Sequence, residues 1–217
     1  MNRNILHLDL DTFFVSCERR LNSSLIGKPV IVGGTGDRGV VSAASYECRA
    51  FGVHSGMAMR MARQLCPQAT YIRGNASVYT KFSKMVTEIL QEQVPVLEKS
   101  SVDEFYADLT GMDRFFGCYR FAKELRTKII KETGLPISFG LSVNKTVSKV
   151  ATNEAKPDSQ LKVDAGFEKI FLEPLSIKKI PMVGEKTFRR FCHLGVKKIG
   201  LVQQMPVEMV VSAFGKN

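Results

Sequence analysis

The sequence predicts an α/β protein of the α+β class, with a ferredoxin-like βαββαβ core, an inserted small module and a basic helical tail. The first observation is the order of elements. When residues 22–73 are set aside, strand-like and helix-like segments follow the order β-α-β-β-α-β, with one further helix and strand after them. The second observation is a change after residue 170, where strand-like alternation stops and lysine and arginine cluster.

The composition describes a chain of 217 residues with 44% apolar residues, enough to bury a core in one large domain or in two to three small modules. The formal charge of +10 favours a polyanionic partner, nucleic acid first, although a basic surface that is merely solvated gives the same number. No apolar run approaches the roughly 20 residues of a membrane span. Five scattered cysteines, three histidines and no signal peptide argue against a zinc site and for a cytoplasmic location.

The first strand is predicted over Ile5–Asp11, because its residues alternate strictly between two faces. Three leucines share an apolar face, and two acids, Asp9 and Asp11, lie on the opposite face. Unpaired carboxylates are costly in a core but are suitable ligands for a hard cation. A helix is predicted next, over Thr12–Leu21.

The inserted module is compact and rich in glycine. Two short strands, Val30–Val32 and Val40–Ser42, flank a segment in which residues 34–39 match the pattern G-x-G-x-x-G. A dinucleotide-binding fingerprint requires a helix directly after the glycines. Because a Val-Val pair follows instead, we interpret this segment as a hairpin turn. Two short helices are predicted after it, over Tyr46–Phe51 and Ala58–Leu65.

The second half of the core alternates amphipathic helices with short strands. Its first helix has apolar residues at spacings of three and four, and its second helix is closed by Gly134. The predicted elements are a helix over Val78–Gln93, a hairpin that carries Asp103 and Glu104, a helix from Phe115 to Ile129, a strand over Ile137–Leu141, a basic helix over Lys145–Glu154 and a strand over Leu161–Val163.

Two adjacent acids, Asp103 and Glu104, lie within the β-forming stretch from Ser100 to Leu109. Neighbouring side chains of a strand point to opposite faces, so a hairpin apex or its flank is needed to turn both carboxylates toward one space. Adjacent carboxylates repel, and a divalent cation is the usual solution. A solvated turn is the plain alternative. In the βαββαβ topology the first strand lies beside this hairpin, so Asp9 is expected to join the two acids.

The tail is predicted to form a helix–turn–helix over Ile177–Gly195 with clustered basic residues. A glycine-containing turn at a helix start exposes backbone N–H groups that can hold a phosphate, and nearby lysines add sequence-independent attraction to DNA. A plain basic helical hairpin is the alternative. The candidate DNA-binding residues are Lys178, Lys179, Val183, Gly184 and Lys186.

Four sequence blocks are similar, in order and spacing, to those of the Y-family (translesion) DNA polymerases: residues 9–14, 43–49, 101–104 and 155–157. The resemblance covers essentially the whole chain. It implies a template-directed DNA polymerase of translesion synthesis and DNA repair, whose partners are primer–template DNA and deoxynucleoside triphosphates. It also implies a palm over residues 1–16 and 76–163, fingers over 17–75, and a helix-hairpin-helix thumb over 164–217. A monomer is expected, without the family's little-finger domain and without its sliding-clamp contact.

The resemblance assigns the acids to two-metal catalysis. Asp9, Asp103 and Glu104 would be the catalytic residues and would bind two Mg2+ ions, with the backbone carbonyl of Leu10 as a further ligand. Fixed carboxylates suit phosphoryl transfer, which depends mostly on positioning and on charge neutralisation. Asp11 would be a supporting or structural residue, because three ligating acids already suffice.

The resemblance also implies the residues that bind the incoming nucleotide, which are Phe13, Phe14, Ser42, Ala43, Tyr46, Arg49 and Lys156. Tyr46 and Arg49 share a helix face and would bind the triphosphate together with Lys156. The ring of Phe14 would be the steric gate against the ribose 2′-hydroxyl, and the small residues 42–44 would lie over the nascent base pair. Core packing for the aromatic residues and a surface ion pair for the arginine are the alternatives.

The sequence departs from the family pattern at three points. Phe105 follows the acids where many relatives have alanine, Asp158-Ser159 stands where Asn-Gly is commoner, and Met182 replaces the first glycine of the thumb turn. Two other functions remain open: a metal-dependent nucleotidyl cyclase on a similar palm, and a non-catalytic DNA-binding scaffold. The inserted module and the basic tail argue against the cyclase, and the intact acids argue against the scaffold.

Overall fold

The structure, a computed structural model, describes residues 3–112 and 117–215. The described strands are β1 (Ile5–Leu10), β2 (Val30–Gly33), β3 (Val41–Ala44), β4 (Thr70–Arg73), β5 (Val96–Lys99), β6 (Glu104–Asp108), β7 (Ile137–Ser142) and β8 (Gln160–Lys162). The described α-helices are α1 (Phe13–Leu21), α2 (Tyr46–Arg49), α3 (Met59–Leu65), α4 (Ala76–Gln93), α5 (Cys118–Thr133), α6 (Lys145–Ala155), α7 (Glu168–Leu172), α8 (Glu185–His193), α9 (Ile199–Gln203) and α10 (Val207–Phe214). The helix predicted from Phe115 to Ile129 corresponds to α5, and its predicted first residue, Phe115, lies outside the described residues.

The core is a five-stranded sheet with the strand order β5-β6-β1-β7-β8. Strand β1 pairs antiparallel with both β6 and β7, β5 pairs antiparallel with β6, and β8 is added parallel to β7. The order β5-β6-β1-β7 is that of a βαββαβ fold, in which the first strand lies between two strands that follow much later in the sequence. The predicted fold class is therefore confirmed.

Helices α4 and α5 cover one face of this sheet, and α6 covers the other. The apolar stripe predicted for α4 packs into the core: Tyr79, Val86 and Ile89 are buried and Phe82 is partly buried. Gly140 in β7 lets α6 approach closely, because a Cβ atom there would lie 2.1 Å from the carbonyl oxygen of Ser148. Any larger residue at this position would push α6 away from the sheet.

Strand β1 is buried on both faces, although the sequence predicted one packed face and one partly acidic face. Helix α6 covers the second face with polar groups: Ser148 Oγ donates to the Ile5 carbonyl at 2.7 Å, and Thr152 Oγ1 hydrogen-bonds His7 Nδ1 at 2.8 Å. Burial lowers the pKa of His7 to about 3, so its ring is neutral. The polar side of β1 is thus matched by the polar side of a helix rather than by water.

The inserted module has its own three-stranded sheet, in the order β3-β2-β4, and its own apolar core. Strands β2 and β3 are antiparallel, which confirms the hairpin interpretation of the glycine-rich segment. Strand β4 pairs parallel with β2 and was not predicted, because none of its side chains is fully buried. Arg19 in α1 donates to both carboxylate oxygens of Glu47, at 2.9 and 3.0 Å, and so ties the module to the first helix.

The tail contains the predicted helix–turn–helix, but its first helix is only a short 310 helix, Ile177–Lys179, before the turn and α8. Helices α9 and α10 were not predicted. A small apolar cluster around Ile177 and Phe191 holds the tail together. Within the described part of the chain, no helix is both long and apolar enough to cross a membrane.

Candidate active site

The register of the main sheet brings the predicted acids to one end of the core. Asp9 in β1 lies directly opposite Glu104 in β6, and the Leu10 amide donates to the Asp103 carbonyl at 3.0 Å. On its other side Asp9 lies opposite Ser138 of β7. Residues remote in sequence meet here because β1 runs between β6 and β7, as the predicted topology requires.

Two lysines presented by α6 hold two of these carboxylates. Lys156, the residue that caps α6, places its Nζ 2.5 Å from Asp9 Oδ1. Lys149 Nζ donates to both carboxylate oxygens of Glu104, at 2.7 and 2.8 Å. A spacing of seven residues is about two helical turns, so both ammonium groups project toward the acids. Lys156 was predicted and Lys149 was not, although its spacing from Lys156 is a signal that could have identified it.

Burial and the neighbouring charges shift the pKa values of Asp9 and Glu104 in opposite directions. Burial is the main reason why the pKa of Asp9 is raised to about 7; Lys156 opposes this shift, and the negative charges of Glu104 and Asp103 add to it. Burial also acts to raise the pKa of Glu104, but the hydrogen bonds and charge of Lys149 outweigh it, so this pKa lies below its usual range. The site therefore concentrates negative charge that positive groups must balance.

Asp103 lies half-buried in the turn before β6. Its Oδ1 accepts a hydrogen bond from Ser101 Oγ at 2.6 Å, and Ser101 Oγ accepts one from the Glu104 amide at 3.0 Å. Over residues 3–112 and 117–215, no three His, Cys, Asp or Glu side chains converge closely enough to hold a metal ion as they stand. The donor chemistry of the three carboxylates nevertheless fits a hard divalent cation, because all are oxygen ligands at one end of the sheet.

A cavity of about 200 Å3 opens beside the acids and collects most of the predicted site. Its lining residues are Asp9, Leu10, Thr12, Phe13, Phe14, Ser42, Ala43, Arg49, Ser55, Asp103 and Lys156. Two predicted residues, Glu104 and Tyr46, do not line it. Thr12 and Ser55 line it although no sequence pattern singled them out. The cavity thus lies between the acidic end of the main sheet and the inserted module.

Stacked aromatic rings fix Phe14 at the wall of this cavity. Its ring lies 4.3 Å from the ring of Tyr79 in α4, centroid to centroid, at an interplanar angle of 17°. Tyr79 in turn donates to Glu18 Oε1 at 2.6 Å. Phe13 is buried in the core, only 2% exposed. Both phenylalanines line the cavity, but Phe13 is buried in the core, whereas Phe14 is only partly buried and presents a braced ring.

The inserted module forms the opposite wall through β3 and α2. Arg49 Nε donates to the Ala44 carbonyl at 3.1 Å, and its guanidinium lies 4.9 Å from the centroid of the Tyr46 ring. Tyr46 and Arg49 thus share a side of α2, as their spacing predicts. Ser55 Oγ donates to the Ser42 carbonyl at 2.9 Å and fixes the strand that carries the small side chains.

The predicted DNA-binding residues of the tail do not line this cavity. Lys178 forms an ion pair with Glu185 at 3.0 Å, and Lys179 forms one with Glu154 at 2.7 Å. These lysines are about half exposed, so their pairs are accessible to solvent and to competing phosphates.

The turn between the two tail helices keeps a glycine-like backbone despite its sequence. Met182 has a φ of 70°, a left-handed conformation that favours glycine, and its side chain is 99% exposed. Val183 is half-buried, whereas Gly184, which precedes α8, and Lys186 are exposed. The methionine therefore changes the surface of the turn while the chain retains the left-handed path.

Sequence comparison relates this geometry to known proteins. The sequence model of the impB/mucB/samB family matches residues 8–153. A protein named DNA polymerase IV from Dehalococcoides mccartyi is 41% identical over 98% of this chain and 55% of its own length. DNA polymerase IV 2 from Mesorhizobium japonicum is 44% identical over 90% of this chain and 46% of its own length. The chain spans about half the length of the curated relatives it matches.

Solved structures share the fold over nearly the whole chain. An insertion ternary complex of Dbh DNA polymerase matches with a TM-score of 0.90, and DinB from Sulfolobus solfataricus matches with a TM-score of 0.91. Both are 28% identical to this chain, and the match covers 98% of this chain and 64% and 63% of theirs. The likeness therefore includes the main sheet, the inserted module and the tail.

Proposed function

Because this chain belongs to the impB/mucB/samB family, we propose that it is the core of a template-directed DNA polymerase of translesion synthesis. It would add deoxynucleotides to a primer 3′ end by phosphoryl transfer. The observation that carries this proposal is the register of β1 and β6, which sets Asp9 opposite Glu104 beside a cavity lined by Phe14 and Arg49. A cluster of carboxylates next to cationic and aromatic groups suits a nucleoside triphosphate.

In this proposal Asp9, Asp103 and Glu104, with the Leu10 carbonyl, would hold two Mg2+ ions. Such ions, when bound, promote attack by the primer hydroxyl and neutralise the phosphates of the nucleotide. Lys149 keeps the Glu104 carboxylate charged and oriented, as its two hydrogen bonds support. The acids are therefore held in place by the fold before any substrate arrives.

The nucleotide would enter between the acids and the inserted module. Arg49 and Lys156 both line the cavity, and each carries a positive charge suited to the triphosphate. The braced ring of Phe14 would occupy the space that a ribose 2′-hydroxyl requires. Ser42 and Ala43 would leave room above the nascent base pair, which would tolerate damaged templates at the expense of fidelity.

The domain division follows the same proposal: a palm over residues 1–16 and 76–163, fingers over 17–75, and a thumb over 164–217. Two of the apolar clusters support it, since one lies wholly within 17–75 and another wholly within 164–217. The exposed lysines of the tail, with Lys186 beside the turn, would contact the DNA backbone.

A primer-extension assay with this chain tests the proposed function. We expect Mg2+-dependent, template-directed extension, and Asp103→Ala should reduce its rate at least about a thousandfold. Glu124→Ala removes an exposed carboxylate on α5 and serves as the matched control, which should retain the wild-type rate.

Three outcomes would contradict parts of this proposal. Extension that survives in Asp103→Ala would remove the assignment of the acids. DNA binding by the wild-type chain without Mg2+-dependent incorporation would favour a scaffold. A cyclic product formed from nucleotide without template would favour a nucleotidyl cyclase.

A further inference from the structure

Asp11 is a buried carboxylate that connects three separate parts of the molecule. It is only 1% exposed. Tyr46 Oη donates to its Oδ1 at 3.1 Å, while Ser138 Oγ and the Asp158 amide donate to its Oδ2 at 2.7 and 2.8 Å. These donors belong to α2, to β7 and to the loop that follows Lys156.

The chain turns sharply at this point, which separates Asp11 from the acids of the main site. Thr12 has a φ of 43°, a left-handed conformation at the transition from β1 to α1. Asp11 lines a second cavity of about 410 Å3 together with Tyr46 and Asp158, and it does not line the cavity beside Asp9. Its role is therefore different from that of a further metal ligand.

The chemistry of the three contacts requires a carboxylate. A buried charge is costly unless each oxygen is hydrogen-bonded, and an ionised carboxylate accepts several hydrogen bonds while donating none. All three partners donate, so a neutral amide cannot replace both oxygens. Burial and then the neighbouring Asp11 charge raise the pKa of Tyr46, so its hydroxyl remains a donor.

We propose that Asp11 is a positioning residue for nucleotide binding, which couples Tyr46 of the inserted module to the loop that carries Lys156. This inference rests on the proposed function, in which Arg49 and Lys156 contact the triphosphate. Tyr46 lies on the same side of α2 as Arg49, whose guanidinium is 4.9 Å from the centroid of the Tyr46 ring. The loop is also held from its other side, because Arg126 Nη2 donates to the Asp158 carbonyl at 2.6 Å. Asp11 thereby fixes α2, which carries Arg49, relative to Lys156, and it acts on the nucleotide only through these two residues.

The variant Asp11→Asn separates the two connections. The Asp158 amide can only donate, so the remaining carbonyl oxygen of asparagine must face it. The amide nitrogen then faces Tyr46, whose hydroxyl must reverse its hydrogen bond. The variant therefore keeps the tie to the loop and disturbs the tie to the inserted module.

Single-turnover incorporation of a correct nucleotide tests this coupling, because it yields the nucleotide Kd and the maximal rate separately. We expect Asp11→Asn and Tyr46→Phe each to raise the Kd about tenfold, with a smaller change in the maximal rate. The double variant should resemble Tyr46→Phe, because Asp11→Asn alters the same hydrogen bond that Tyr46→Phe removes. Tyr71→Phe is the matched control, because the Tyr71 hydroxyl donates to the Cys66 carbonyl at 2.9 Å and Tyr71 lines neither cavity; it should lower the melting temperature without changing the Kd.

Additive effects of the two substitutions, or a Kd for Asp11→Asn within twofold of the wild type, would overturn the inference. Should Asp11→Asn fail to fold, Tyr46→Phe decides, since an unchanged Kd in that variant also overturns it. If the wild-type chain incorporates no nucleotide, the proposed function fails instead. In that case equilibrium titration with a deoxynucleoside triphosphate measures the same Kd values and still decides the coupling.

Discussion

The acidic end of the main sheet and the basic turn of the tail both concentrate charge, but the fold holds their charges in opposite ways. At the acidic end Asp9 is buried, and Lys149 and Lys156 are partly buried with ion pairs of 2.7 and 2.5 Å. In the tail Lys178 and its partner Glu185 are each about half exposed. The same kinds of residue are thus fixed in one region and solvated in the other.

Buried and exposed charges contribute differently to binding and to catalysis. Charges in a partly buried site interact strongly, are weakly screened by salt and retain a fixed geometry. Exposed pairs are worth about 0–1 kcal/mol and exchange partners easily. We therefore expect the acidic end to control the rate of the chemical step, and the tail to control affinity for DNA and its dependence on salt.

Replacing Asp9 by Asn should have the largest effect, because Asp9 is the buried carboxylate at the acidic end. The substitution keeps the volume of the side chain but removes the charge that faces Glu104. The rate of nucleotide incorporation should fall at least about a thousandfold, while circular dichroism should show the wild-type fold. A variant that retained the wild-type rate would mean that the acidic end has no catalytic role.

Replacing Phe13 by Ala tests how far the acidic end depends on the core beneath it. Because Phe13 is buried, its truncation should lower the free energy of unfolding by about 3–5 kcal/mol. Urea denaturation measures this loss. Phe13 also lines the cavity and packs against Phe14, so discrimination against ribonucleotides should fall, but less than for Phe14→Ala, in the fraction that stays folded. An equal fall would contradict the distinction between the two phenylalanines.

Replacing Phe14 by Ala should affect discrimination against ribonucleotides more than it affects stability. The ring lines the cavity and stacks on Tyr79, so its loss should cost less stability but open space near the sugar. The ratio of kcat/KM for deoxynucleotides to that for ribonucleotides should fall about 10- to 200-fold. Unchanged discrimination would exclude the steric-gate role.

Replacing Lys186 by Ala should have the smallest effect. It should change the affinity for DNA, whereas substitutions at the acidic end should change the rate of incorporation. Loss of one exposed phosphate contact should weaken duplex binding a few-fold and reduce the slope of log K against log salt concentration by about 0.9. Lys131→Ala, an exposed lysine on α5, is the matched control and should leave both values unchanged. A large loss of incorporation rate at saturating DNA would contradict the division of roles.

The sequence alone determined the elements whose signals are local. The alternation in β1, the apolar stripe of α4 and the closure of α5 at Gly134 all follow from periodicity and from glycine chemistry, which depend on near neighbours in the chain. The order of these elements then predicted the fold class, and with it the meeting of Asp9 and the hairpin acids. The sequence did not predict strand β4, because its four residues are partly exposed and show no clear alternation of apolar and polar side chains.

Tertiary structure alone decided which charged groups touch. Lys149 reaches Glu104, and Asp11 accepts hydrogen bonds from Tyr46, Ser138 and Asp158, although no local pattern links these residues. The physical reason is that a hydrogen bond depends on distances of about 3 Å between atoms, and such distances are set by the register of strands and the approach of helices. A sequence pattern specifies the face on which a residue lies, and only the packed fold specifies what that face meets.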